Sequence, residues 1–299
     1  MSLREIVRAF GGDLYAGGRR ASIPAPGHST ADRSVSLRLA EGRVLVHCFG
    51  AADWREVLDA LRQKGLIDDD NALTGVAGLP ARRTGHEPTD RDRIAAAERL
   101  WSEGRPLAGT LSERHLRRRH IRRALPGTDA LRHHPAVPIA AYRRRGWTQP
   151  ALLAAIRDLA GAVTAVEVTY LDRDGARARR LKVPRKTIGV VRPGSAVRLD
   201  SPAADMLVGE GVFTTLSASA RFARPGWALL AIRNLAAWTP SAGVRRVLIA
   251  GDRGPYGEAA AAGLRDRLAA LGLEAEVALP DPPFGDWNDV AAAEAARAG

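Results

Sequence analysis

The chain has 299 residues, 45% hydrophobic and 26% charged, which excludes general disorder and predicts two or three domains. No apolar stretch nears the roughly 18 residues of a bilayer span, Met1–Glu5 has no signal-peptide core, and the single cysteine, Cys48, excludes an internal disulfide or a zinc site built on two thiolates, so a cytoplasmic protein without a membrane partner is expected. The net charge of +12 is uneven: 16 Lys and Arg face 7 Asp and Glu in residues 81–150, and 10 face 5 in 151–200, a basic centre suited to a polyanion.

Residues 1–67 read as a small α+β unit. Ser2 and Glu5 have capping-box spacing for a short helix that Gly11-Gly12 ends. Strands are predicted over 34–39 and 43–49, joined by the turn Glu41-Gly42, then a helix over 53–64 stopped by Gly65. Residues 68–89 lose periodicity and collect Gly, Pro, Asp and Arg, as a linker does.

Residues 90–202 read as a basic α+β region. Helices are predicted over 90–103 and 112–119, the second running into Arg117, Arg118, Arg119, His120, Ile121, Arg122 and Arg123. This run suits phosphate contact; a solvated helix end is the alternative. A strand over 162–171 is followed by the turn Asp172-Arg173-Asp174-Gly175 and a predicted antiparallel return over 177–183. Arg179, Arg180, Lys182, Arg185 and Lys186 decorate the return, as phosphate contacts or as protection of a sheet edge.

From residue 203 strands and helices alternate, which argues for a parallel sheet covered on both faces. Strands are predicted over 206–208, 228–231, 244–250 and 274–279, and helices over 214–223, 234–238, 256–271 and 290–296. Two strands lead directly to acids: Leu207-Val208-Gly209-Glu210-Gly211 and Val247-Leu248-Ile249-Ala250-Gly251-Asp252. A third acidic segment, Gly285-Asp286-Trp287-Asn288-Asp289, follows the last strand. Carboxylates gathered beyond strand ends can hold magnesium for phosphodiester chemistry. Asp289 also suits an N-cap, Asp252 a turn, and Asn288 the shaping of its loop.

The order of these segments resembles the Toprim domain of bacterial primases, type IA and type II topoisomerases and related nucleases, and the last loop is similar to the Gly-x-Asp-x-Asn-Asp loop of phage and plasmid primase-like members. Upstream, Ile23-Pro24-Ala25-Pro26-Gly27-His28 through Asp32-Arg33-Ser34-Val35-Ser36-Leu37, then His47-Cys48-Phe49-Gly50, resembles the primase zinc ribbon. Leu131-Arg132-His133-His134-Pro135 resembles a further motif of these proteins.

The resemblance implies an α/β architecture in which a degenerate zinc-ribbon-like unit and a basic middle region precede a Toprim domain over 203–299. It implies Glu210 as general acid/base or metal ligand, Asp252 as principal ligand, and Asp286 and Asp289 as further ligands of magnesium or manganese. The clustering of basic residues, rather than the resemblance, offers Arg117, Arg118, Arg119, Arg122, Arg123, Arg180, Lys182 and Lys186 as candidate nucleic-acid contacts. The implied activity is RNA primer synthesis on single-stranded DNA from nucleoside triphosphates, in a protein of mobile-element origin with a replicative helicase as candidate partner.

Two motifs depart from the family. Ile23 and Ala52 or Asp53 stand where the ribbon has cysteines, so no zinc is expected, and Gly254 stands where the second acid of Asp-x-Asp is expected. A catalytically reduced DNA-binding or helicase-associated subunit, and a Toprim nuclease, remain open alternatives.

Overall fold

The computed structural model describes residues 1–30, 32–40, 42–49, 53–74, 88–142 and 146–298. They fall into two compact units, residues 1–86 and 87–299. Among the described residues no helix is long and apolar enough to cross a membrane.

The first unit begins with α1 (Leu3–Phe10), where the Ser2 N–H donates to Glu5 Oε2 at 2.6 Å as the capping-box spacing requires. Strands β1 (Asp13–Tyr15), β2 (Arg20–Ile23), β3 (Val35–Ala40) and β4 (Arg43–Cys48) form an antiparallel sheet in chain order, and α2 (Trp54–Gln63) follows. β1 and β2 were not expected, because neither short segment alternates clearly. Leu3, Ile6, Ile23, Val35, Leu37, Val57 and Leu61 form one core.

Ile23, which the sequence resemblance sets against a ribbon cysteine, is 0% exposed within that core, so its side chain serves apolar packing. Part of the expected linker belongs to this unit: Ala72 bridges Arg43, and Leu73 bridges Ile67 and is buried. Residues 75–87 of the linker, Glu41 of the turn, and Gly50 and Ala52 of the ribbon motif lie outside the described residues.

In the second unit α3 (Asp90–Ser102) and α4 (Leu111–Arg118) precede strands β5 (Leu131–Pro138), β6 (Thr148–Arg157), β7 (Val163–Tyr170) and β8 (Arg185–Gly189), an antiparallel sheet in chain order. Ala97, Leu100 and Trp101 of α3 pack on Leu153, Val166, Val168 and Ile188 of one face. The predicted return strand over 177–183 does not form. Arg177 alone bridges Leu171, and the strand paired with β7 starts at Arg185. Arg179 explains the difference: its N–H and guanidinium bind Asp172, and the guanidinium also reaches Asp174, so the segment folds onto its own turn.

The C-terminal part comprises β9 (Val197–Arg198), β10 (Asp205–Gly209), α5 (Val212–Phe222), β11 (Gly226–Ala228), α6 (Ile232–Ala237), β12 (Arg246–Ala250), α7 (Pro255–Ala270), β13 (Glu274–Ala278) and α8 (Trp287–Arg297). Sheet order is β13-β12-β10-β11-β9, parallel except for β9, which runs antiparallel to β11. Strand residues alternate between faces: Met206, Val208, Val247 and Ile249 pack with Leu264 and Leu268 of α7, while Leu207, Leu248 and Ala250 pack with Ala218, Trp287 and Val290 of α5 and α8.

A further core joins the two sheets. Leu131, Leu152, Ile156 and Leu171 of the middle region cluster with Leu116 and Ile121 and with Val212, Phe213 and Leu216 of α5. This shared core sets the end of α4, and with it the arginine run, beside the C-terminal sheet.

Candidate active site and nucleic-acid interface

The three acidic segments leave one edge of the parallel sheet. Gly209 is in register with Ala250, and Ala250 with Ala278, so β10, β12 and β13 end level, and Glu210, Asp252 and the loop before α8 follow those ends. Thr214, in the first turn of α5, fastens the segments together. Its hydroxyl donates to Asp252 Oδ1 at 3.3 Å and accepts the Trp287 N–H at 3.2 Å. Arg253 holds the third loop in place: its N–H donates to the Gly285 carbonyl and its Nε to the Pro280 carbonyl, each at 2.7 Å.

Asp286, not Asp289, is the N-cap of α8, and the helix starts at Trp287 rather than Val290. Asp286 Oδ1 accepts the N–H groups of Asn288 at 2.7 Å and Asp289 at 2.8 Å. Asp289 Oδ2 accepts the Gly285 N–H at 3.2 Å from the third helical position. Gly254, where a second acid is expected, has φ +118°, and its N–H donates to Glu258 Oε1 at 3.3 Å. Glycine there meets a backbone requirement that aspartate does not.

Burial pushes the Asp252 carboxyl up to about 7, with Glu210 and then Asp286 adding to the rise and the Thr214 hydroxyl opposing it. Burial also raises Glu210, and Arg185 opposes that rise. The cluster therefore holds mutually repelling carboxylates, a donor set whose chemistry fits a divalent cation. Among the described residues no three carboxylate, imidazole or thiolate groups stand close enough to grip one ion together. Magnesium needs fewer, since it commonly takes one or two protein carboxylates and keeps several waters. Asp252 with either Glu210 or Asp286 could supply such a pair.

The basic residues divide into two groups. Arg118 and Arg122, at and beyond the end of α4, and Arg180 and Lys182, in the loop before β8, are exposed. Arg117 is exposed too, although its Nη1 also closes the loop on the Ile121 carbonyl at 2.7 Å. Arg119 lies over the Phe213 ring, 5.2 Å from its centroid, three residues from Glu210 in sequence.

Arg123 and Lys186, expected on phosphates, turn inward instead. Arg123 pairs with Asp200, with one contact at 2.9 Å, and donates to Ser219. Lys186 donates to the Ile139 carbonyl and lies over Tyr170, and burial lowers its ammonium pKa.

Thr214 and Arg185 beside the acids, and Arg177 near Arg185, were missed or undervalued. Burial, followed by Arg185 and Arg119, holds Arg177 below the ordinary guanidinium range, which places three arginines in one electrostatic neighbourhood. Arg185 is also the charge that opposes the rise at Glu210. The density of arginine over 177–186 was a signal for Arg177 and Arg185. Thr214 had none, because its role depends on which loops meet.

The motif residues of the middle region are structural. His133 Nδ1 pairs with Ser112 Oγ at 2.8 Å, and His134 Nε2 with Glu103 at 3.0 Å. In the first unit His28 pairs with Asp32 at 3.1 Å, His47 packs edge-on against Phe49, and Asp53 caps α2.

Residues 91–199 match a domain of unknown function, DUF7146, and residues 205–297 match the Toprim domain. Comparison with curated proteins gives no match. Among solved structures the chain is similar to the Aquifex aeolicus primase (zinc binding and RNA polymerase domains), at TM-score 0.45 and 13% identity, covering 100% of this chain and 82% of that one. It is also similar to the primase fragment of the bacteriophage T7 primase-helicase protein, at TM-score 0.41 and 14% identity, covering 92% and 96%. A DnaG primase catalytic domain bound to ssDNA gives TM-score 0.46 and 12% identity, covering 70% and 77%.

Proposed function

We propose, for a chain whose residues 205–297 are a Toprim domain, a primase-type role: binding single-stranded DNA along the arginine run and joining nucleoside triphosphates on it. One observation carries this reading. The arginine run at the end of α4 abuts the acidic edge, since Asn288, between Asp286 and Asp289, donates from its side chain to the Arg119 carbonyl at 2.6 Å. A template held by phosphate contacts there would pass beside the carboxylates.

Each residue has a defined task in such a reaction. Arg117, Arg118 and Arg122 would hold template phosphates. Arg119, Arg177 and Arg185 would orient the phosphate chain of the incoming nucleotide, since phosphoryl transfer depends mainly on positioning and charge neutralisation. Glu210, raised by burial, is suited to take the proton from the attacking hydroxyl. Magnesium or manganese, held by Asp252 with Glu210 or Asp286 and by waters, would supply neutralisation of charge on the reacting phosphate. A replicative helicase would be the natural partner of such a protein.

The assay is synthesis of labelled oligoribonucleotides on single-stranded DNA with magnesium. Product that disappears in Asp252→Asn and Glu210→Gln supports the reading. Gly254 favours a second reading, a catalytically reduced DNA-binding or helicase-associated subunit, because it removes one expected acid. Tight DNA binding without product under magnesium or manganese would establish that reading instead, and cleavage of the DNA would identify a nuclease.

A further inference from the structure

A polar cavity lies at the opposite edge of the parallel sheet from the acids. It has a volume of about 770 Å³ and is lined by Arg157, Arg198, Asp200, Ser201, Trp227 and Ser241, among others. Ser201 precedes β10 and Ser241 precedes β12, so the cavity opens at the N-terminal ends of those strands, whereas Glu210 and Asp252 follow the C-terminal ends. A smaller cavity of about 280 Å³ shares Arg157, Arg198, Trp227 and Ser241 and adds Trp238.

Two guanidinium groups are fixed here without being neutralised. Arg157 donates to the carbonyls of Gly161 at 2.9 Å and Asp129 at 3.0 Å. Arg198 donates to the Asp158 carbonyl at 2.8 Å and lies over the Trp227 ring, 4.9 Å from its centroid. Two of the neighbouring carboxylates are engaged elsewhere, Asp158 with Arg192 at 3.2 Å and Asp200 with Arg123 and the Gly226 N–H, while Asp129 also lines the cavity and meets Arg157 through its backbone carbonyl.

Burial and then Arg157 hold Arg198 below the ordinary guanidinium range, and Asp158 only partly opposes them. Among the described residues Arg198 Nε and Trp238 Nε1 are buried donors without an acceptor. Two like charges held side by side, with room for a small molecule beside them, suit an oxyanion.

We propose that this cavity binds a phosphate-bearing ligand, with phosphoryl oxygens on Arg157 and Arg198. Planar guanidinium forks match phosphate geometry, and the larger volume lies within the roughly 300–1,000 Å³ of small-molecule sites, so a nucleotide fits as well as a bare phosphate. The phosphate arrives either on a free nucleotide or at the end of a nucleic-acid strand. The site is independent of the acidic edge and of the primase reading.

The test is calorimetric titration of the full chain in EDTA with sodium pyrophosphate and with ATP. Saturable binding of either is expected, weakened about tenfold or more in Arg157→Gln and Arg198→Gln, since each loses charge-assisted hydrogen bonds. Ser241→Trp, which fills the cavity while keeping both arginines, is expected to block binding as well and covers the case in which an arginine variant misfolds. Arg265→Gln, at an exposed arginine of α7 that pairs with Asp266 and does not line the cavity, is expected to leave binding intact.

Competition by a 5′-phosphorylated oligonucleotide, but not by its dephosphorylated twin, would assign the phosphate to a strand end; binding indifferent to both would assign it to a free nucleotide. The proposal is overturned if the wild type binds neither probe, or if folded Arg198→Gln and Ser241→Trp bind as the wild type does.

Discussion

The Asn288 side-chain amide donates to the Arg119 carbonyl at 2.6 Å, fastening the first turn of α8 to the C-cap of α4 across 169 residues of sequence. The same nitrogen reaches Ser217 Oγ at 2.9 Å, and Asn288 is only 3% exposed. Removing a buried donor leaves its acceptors desolvated and unmatched, which costs about 1–3 kcal/mol. Asn288→Ala is therefore expected to lower stability by about that amount in urea unfolding. It should also weaken single-stranded DNA binding, because Arg119 and its neighbours lose their anchor. Unchanged stability and affinity would show that the acidic edge and the arginine run are held together by other contacts.

Exposed and inward-facing arginines should behave differently. Alanine at Arg117, Arg118 and Arg122 together is expected to weaken single-stranded DNA binding for every sequence and to reduce the slope of log affinity against log salt by about 2. Arg123→Ala is expected instead to destabilise the fold by about 2 kcal/mol while leaving the salt slope unchanged, since it strands Asp200. Fluorescence anisotropy across a salt series, beside thermal melts, separates the two effects. Equal slopes for the triple variant and the wild type would remove the arginine run from the interface.

His133 supplies a pH dependence. It is 3% exposed, and burial, with Arg105 and His134, lowers its pKa from 6.5 to about 4. The folded state thus favours the neutral ring. Stability from this group is complete above pH 6.5 and is lost as pH falls from 6.5 toward 4, by on the order of 3 kcal/mol. His133→Gln should melt with a weaker pH dependence over that window. Parallel melting curves for variant and wild type between pH 7 and pH 4 would contradict this assignment.

Restoring the acid expected at position 254 should not restore chemistry. At φ +118° Gly254→Asp strains the backbone by about 1–3 kcal/mol, and the side chain would start from a different backbone conformation than a ligand-bearing loop needs. The expected outcome is a lower melting temperature with no gain in magnesium-dependent product. A gain in product with an unchanged melting temperature would show that the loop adapts to an acid.

Much of the architecture was legible because it rests on local periodicity. The alternation of Met206, Leu207 and Val208, and of Val247, Leu248 and Ile249, is what a parallel strand buried on both faces requires, and the acids following those strands were readable from their place in the chain. The Ser2–Glu5 cap was legible for the same reason. The return strand over 177–183 was misread because its side chains suit a strand while Arg179 binds the preceding turn, a competition that strand propensity does not register. The cap of α8 was shifted by three residues because Asp286 and Asp289 are both good caps and only the path of the loop selects between them.

The sequence alone determined the order of elements, the basic middle and the three acidic segments, all set by residue type and spacing within short stretches. Tertiary structure alone decided which charges remain available. Arg123 and Lys186 are cationic side chains like Arg118 and Arg122, yet their partners Asp200 and Ile139 lie 77 and 47 residues away, and no local pattern encodes such a contact. It likewise brought Thr214 between Asp252 and Trp287 and set Arg157 and Arg198 side by side on one cavity, because electrostatic environment depends on distance through space rather than along the chain.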